Sequence, residues 1–247
     1  GHSVETNQEG VMKFIISHRF AEINTGLYDL FGLDDANMRI GLDYGINSWA
    51  TIGIGRSSFE KTYDGYLKTR LIRQKTGEKA FPVTLTYFGS IAYKTLKAED
   101  PDRQFDDELN LFYVHQLLMA HKFSHGFSLQ VMPTLVHRNL VETNEESHDV
   151  IAIGVAPRIQ LTKKWSVNVE YYYPLPDQLK EGLTESLAIG FDIETKGHVF
   201  QFSFGNSRGL IEKMFITETA GDWGDGDIHF GFNITRDFKL KGRKYRN

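Results

Sequence analysis

The sequence predicts an all-β fold, a transmembrane antiparallel up-and-down β-barrel of about 12 strands. Three observations carry this. Apolar residues alternate with small or polar ones at a period of two along most of the chain. The connections between these stretches run long and short by turns. The 247 residues include 23 glycines, 18 phenylalanines and 11 tyrosines but only 6 prolines, a mix that suits pleated, half-buried strands better than helical bundles.

Taken in order, strand candidates fall at 11–20, at Met38–Ile46 and at 49–56. In the second, Met38, Ile40, Leu42, Tyr44 and Ile46 oppose Arg39, Gly41, Asp43 and Gly45. Segments 63–72 and 108–122 alternate poorly and fit either facing. Val83, Leu85 and Tyr87 begin another strand, as do Phe127, Leu129 and Val131, and 149–161 follows. Trp165, Val167, Val169, Tyr171 and Tyr173 then alternate with Ser166, Asn168, Glu170 and Tyr172. Leu187, Ile189, Phe191 and Ile193 alternate with Ala188, Gly190, Asp192 and Glu194, and Phe200, Phe202 and Phe204 with Gln201, Ser203 and Gly205. The final stretch is the clearest, with Ile228, Phe230, Phe232 and Ile234 against His229, Gly231, Asn233 and Thr235.

Long connections fall near 21–37, 56–62, 94–107, 138–148, 174–184 and 206–226. Tight links lie at Asn47-Ser48, Ser124-His125-Gly126, Thr162-Lys163-Lys164 and Lys196-Gly197, with 73–80 a longer exception. In a barrel this places both termini on the short-turn, periplasmic side and the long loops outside. The whole of 1–247 reads as one domain, with 238–247 a basic C-terminal tail.

The same alternation fits a soluble barrel or two-sheet sandwich with its apolar face inward, so the facing has to be argued. About eight strands already fill a barrel with side chains, and about twelve with inward Phe, Tyr and Trp would leave an apolar void. The polar face is rich in Gly, Ala, Ser and Asn, which suits a crowded lumen, whereas soluble exteriors favour Lys and Glu. Trp49, Tyr93, Trp165, Tyr171, Tyr173 and Trp223 sit at strand ends, where interfacial girdles form. The lipid bilayer of the bacterial outer membrane is therefore the expected environment. The mean hydropathy of -0.35 is compatible with this, since only alternate residues meet lipid. The Gly-His-Ser opening carries no secretory signal, so one is expected to have been removed or to lie upstream.

The residues also resemble a family of bacterial membrane-bound β-barrel proteins defined as a domain of unknown function. The resemblance rests on GHSVET at Gly1–Thr6, ISHRF at Ile16–Phe20, FGLD at Phe31–Asp34, GLDYGI at Gly41–Ile46, GRSSFEKTYDG at Gly55–Gly65 and FGFNITR at Phe230–Arg236. It spans nearly the whole chain, implies that Gly-His-Ser is native sequence, and supports fold and location without supplying an activity.

Several function classes are disfavoured. A net charge of -4 and a pI near 6.2 give no basic field for nucleic acid. With no cysteine there is no disulfide, thiolate metal site or redox centre. Ser17-His18 and Ser147-His148 each place adjacent side chains on opposite strand faces, so neither makes a nucleophile–base pair, and no catalytic residue is assigned. The histidines lack metal-binding spacing, and Gly221–Asp227 (GDWGDGD) reads as an ordinary Gly/Asp turn. No cofactor or metal is expected.

The alternation instead puts Arg39, Asp43, Lys68, Arg70, Arg158, Glu170, Asp192 and Glu194 on the inner face. Charges of both signs there line a narrow polar conduit or form a cross-barrel ion-pair network. The leading functional reading is a narrow porin-like channel for small polar solutes. The alternative is a non-conducting scaffold recruiting envelope partner proteins through the mixed-charge loop 94–107, the other long loops or the basic tail with Lys239, Lys241, Arg243, Lys244 and Arg246. An outer-membrane hydrolase is third.

Overall fold

A computed structural model of the chain describes residues 1–78, 80–96, 107–141, 143, 146–195 and 197–240. Twelve strands form one closed antiparallel barrel. They are β1 (Val11–Glu22), β2 (Ala36–Gly45), β3 (Ala50–Ser57), β4 (Tyr63–Ile72), β5 (Thr84–Tyr93), β6 (Leu111–Lys122), β7 (Phe127–Arg138), β8 (Asp149–Gln160), β9 (Trp165–Pro174), β10 (Ser186–Glu194), β11 (His198–Gly205) and β12 (His229–Lys239). Each pairs with its sequence neighbours, and β1 closes the ring on β12, with Ile16 opposite Ile234 and Ser17 opposite Asn233. Closure leaves no sheet edge, which is what a strand protein needs in hydrocarbon.

The predicted facing holds where the period is clear, and β4, which fits either facing by sequence, turns Leu67 outward and Lys68 inward. Ile40, Leu42, Ile54, Leu67, Ile153 and Phe191 are exposed around the outside, while their neighbours Arg39, Asp43, Lys68 and Asp192 are buried inside. Polar side chains on the outer face satisfy one another: the Tyr87 hydroxyl lies 2.6 Å from His115 Nδ1. Trp49 and Trp165 are exposed at the short-turn end and Tyr63, Tyr171 and Tyr173 at the other, where the girdles are expected. Trp223 differs, because its indole N–H donates to the Leu187 carbonyl at 3.0 Å and braces the long loop before β12.

One boundary shifts. Phe238 and Lys239 belong to β12, opposite Met12 and Val11, so the tail begins later than expected, and its residues 241–247 lie outside the described residues. The charged stretch from Lys97 to Asp106 also lies outside them.

The poor alternation of 108–122 has a physical cause. On β6 the outward Leu117 and Met119 are apolar, as the period demands, but so are the inward Phe112, Val114 and Leu118. Inward Phe88, Met132, Val136, Val150 and Tyr172 continue this apolar wall along β5 and β7–β9. Half of the lumen is therefore lined like a protein core, and something apolar must cover it.

Candidate functional site

Two segments of the chain provide that cover. The first is a six-residue helix, α1 (Glu212–Thr217), in the long connection between β11 and β12, and every one of its residues is buried. Phe215 and Ile216 join the apolar wall, and the Phe215 ring lies 5.3 Å from that of Tyr172. Met214 and the preceding Ile211 pack with Ala92 and Phe112 near the long-loop mouth.

Lys213 anchors the helix. Its ammonium lies 2.8 Å from Glu60, 2.5 Å from Glu218 and 4.1 Å from the centre of the Phe112 ring. Glu60 reaches inward from the β3–β4 connection, where it and Lys61 adopt left-handed backbone at φ 52° and 50°. Such a conformation costs a non-glycine residue about 1–3 kcal/mol and persists when the surroundings demand it. Burial alone would raise the Glu60 carboxyl, but Lys213 and Lys94 overrule it and hold its pKa below the ordinary value. Burial likewise opposes the charge on Lys213, and Glu218 and Glu60 more than restore it.

The second segment is the stretch before β1. Residues 1–8 form no helix or strand, bend at Val4 and run inside the barrel from the short-turn rim to mid-lumen. Val4 lies in the same apolar cluster as Phe215. The His2 ring sits 4.5 Å from Tyr66 and 4.4 Å from Phe88, and its Nε2 is 4.0 Å from the Glu212 carboxylate of α1. The two obstructions thus meet at the barrel centre. Gly45 lets the segment pass: a β-carbon there would stand 2.1 Å from the Gln8 carbonyl oxygen.

The remaining lumen carries most of the inner-face charges. A cavity of about 840 Å³ has a lining that runs from Ser124, His125 and Gly126 at the short-turn rim up to Gly209, Leu210 and Glu212 beside α1. Seven of the eight inner-face charges, Arg39, Asp43, Lys68, Arg158, Glu170, Asp192 and Glu194, border it. Arg70 stands apart at the short-turn rim, 3.5 Å from Glu5 and bonded to the Ser48 carbonyl. Arg39 pairs in the barrel wall with Asp64, its Nε 2.8 Å from the carboxylate, and its guanidinium lies flat over Gly41 and Gly55. Arg158 lies 3.3 Å from Glu194, 3.8 Å from Asp192 and 3.0 Å from the Ser166 hydroxyl. Asp43 and Tyr66 share the space over Gly53. Asp64, Lys13, Arg19 and Tyr66 were not among the predicted inner-face charges and partners, although the period on β1 and β4 assigns them inward.

Of the two Ser-His dipeptides, Ser17-His18 lies on β1 and separates as alternation requires, whereas Ser147-His148 precedes β8 and is not on a strand. Ser17 is buried in the lumen while His18 stacks outside on Phe232 at 5.1 Å. Ser147 donates to the Asp149 carbonyl and His148 Nδ1 contacts the Arg138 carbonyl at 2.7 Å, so these two have separate partners. In the Gly/Asp turn, Asp227 accepts the Asp222 backbone N–H at 3.0 Å and Asp222 that of Gly224 at 2.5 Å, which uses the carboxylates to shape the turn. Among the described residues no group of three His, Asp or Glu side chains is arranged to hold a metal.

A family profile described as "Membrane bound beta barrel domain (DUF5777)" matches residues 1–238. The chain belongs to this family. A sequence search of curated proteins finds no match. Among solved structures, the NanC porin superposes with a TM-score of 0.56 at 7% identity over 93% of this chain and 100% of its own. The KdgM porin gives 0.55 at 6% identity over 92% and 99%. The COG4313 outer membrane channel from Pseudomonas putida F1 gives 0.55 at 11% identity over 96% and 99%. At these identities the likeness is one of fold. The family and the fold together make this chain a β-barrel of the bacterial outer membrane.

Proposed function

We propose that this barrel is a narrow channel for small polar solutes, without enzymatic activity, held closed in the conformation described here. The observation that carries the reading is the cavity: beside residues 1–8 and α1 there remains a passage of about 840 Å³, bordered by seven of the inner-face charges. That passage is lined by Asn168, Gln201, Asn233 and Thr235 as well as by charges of both signs, groups that replace a solute's hydration shell without favouring one ion strongly. Shared architecture with two porins and an outer membrane channel supports the same reading. The test is single-channel conductance of the folded protein in a planar bilayer. We expect brief openings of small amplitude with weak ion selectivity, and Asp192→Lys with Glu194→Lys should move that selectivity toward anions. Silence from both correctly folded proteins would sink the channel.

A second reading is favoured by the completeness of the α1 packing, since a lumen filled by a buried helix also suits a non-conducting scaffold. There the long loops and the basic tail would recruit envelope partners, and stable copurifying proteins together with absent conductance would select it.

A further inference from the structure

The way residues 1–8 are held points to a binding site. Most polar contacts between the barrel wall and this segment go to its main chain. Gln130 accepts the Val4 N–H at 2.9 Å and donates to the His2 carbonyl at 2.8 Å. The Thr86 hydroxyl donates to the Val4 carbonyl at 2.9 Å, the Lys68 ammonium to the Ser3 carbonyl at 3.3 Å, and Thr51 accepts the Asn7 N–H at 2.8 Å. All four wall residues are themselves buried. Side-chain selection comes from two alternate positions, an aromatic slot between Tyr66 and Phe88 for His2 and the apolar wall for Val4, while Ser3 and Glu5 are exposed. Main-chain hydrogen bonds with pockets at alternate residues are how proteins bind linear peptides.

We propose that the lumen contains a peptide-binding site, occupied here by the chain's own residues 1–8, that exchanges this segment for a linear peptide presented from the short-turn end. The peptide it takes is non-helical, with a flat ring and a small apolar side chain two residues apart. This site stands whether or not the barrel conducts, so its test uses binding and no current.

The chain has no cysteine, so a single introduced thiol reports accessibility. In the full-length folded barrel, Val4→Cys should react with a water-soluble maleimide at least tenfold more slowly than Glu78→Cys, which lies on an exposed turn. Excess synthetic peptide of sequence GHSVETNQ should accelerate Val4→Cys labelling several-fold and saturably, because it captures the vacated site. The same peptide with His2→Asp and Val4→Asp should not. Adding Gln130→Ala to the Val4→Cys protein removes two main-chain bonds and should raise its labelling rate without peptide. Equal labelling of the two cysteines, no response to saturating peptide, or an equal response to the doubly substituted peptide would each overturn the proposal.

Discussion

Replacing Lys213 by alanine should undock α1 from the lumen. The Lys213 side chain is 2% exposed and its ammonium neutralises Glu60 and Glu218, so its removal deprives two carboxylates of their shared partner. Breaking a buried ion pair on one side costs about 3–5 kcal/mol. The lower end applies, because Glu60 keeps Lys94 and the Glu218 side chain is 30% exposed. A loss of about 3 kcal/mol corresponds to roughly a 150-fold rise in the undocked population, at tenfold per 1.4 kcal/mol. Met214 is 1% exposed, and Met214→Cys in this cysteine-free chain gives a thiol that reacts only when the helix leaves its site. Its labelling rate with a water-soluble maleimide should rise by about two orders of magnitude when Lys213→Ala is added. Adding Glu60→Gln and Glu218→Gln as well should recover most of the protection, since removing all the charges removes the unpaired ones. A rate within threefold of the parent would refute the idea that Lys213 holds the helix.

Two further outcomes follow from the same geometry. Burial raises the Glu212 carboxyl above its ordinary value of 4.5 against the pull of the Gly1 ammonium and Arg39, with Glu170 and His2 also beside it. A raised carboxyl favours the docked helix below its shifted pKa and costs stability as pH climbs through it. Glu212→Gln should therefore slow Met214→Cys labelling at pH 7.5 and flatten its pH dependence above 4.5; faster labelling at pH 7.5 would contradict this. On the outer face, Ile153→Arg should destabilise the barrel by about 2–4 kcal/mol if it sits near the membrane midplane, read as a lower urea midpoint in lipid vesicles. An unchanged midpoint would place position 153 away from lipid.

The barrel wall is legible in the sequence because lipid imposes the same demand on every strand. Ile228 to Thr235 or Leu187 to Glu194 show it without help, and the partner of each strand follows from the alternation of long and short links. The contents of the lumen are harder to read. Residues 1–8 have no period, because they are held by Gln130, Thr86 and Lys68 from three different strands and not by a repeating face of their own. At six residues α1 is under two turns, too short to display a helical period. The sequence does carry one trace of them. On β6, Phe112, Val114 and Leu118 violate the rule that a lumen face is polar, and a strand apolar on both faces announces a barrel with an interior to be covered. The inner-face charges were legible as inward by period, but their partners were not, since Asp64 meets Arg39 across β3 and Arg158 meets Glu194 across β9.

The β1–β12 seam has a kinetic consequence. Residues 1–8 lead into β1 and the α1 loop leads into β12, so both obstructions hang from the two strands whose pairing closes the ring. That pairing joins the chain's most distant strands and carries the largest loop-closure cost, which makes it the natural last step of assembly. An open, curved sheet can receive its contents sideways through the gap, whereas a barrel that zipped shut first would have to thread one segment through each mouth. Closure is then also a packing step, and a chain with a defective plug should show its fault first in the rate at which the seam forms.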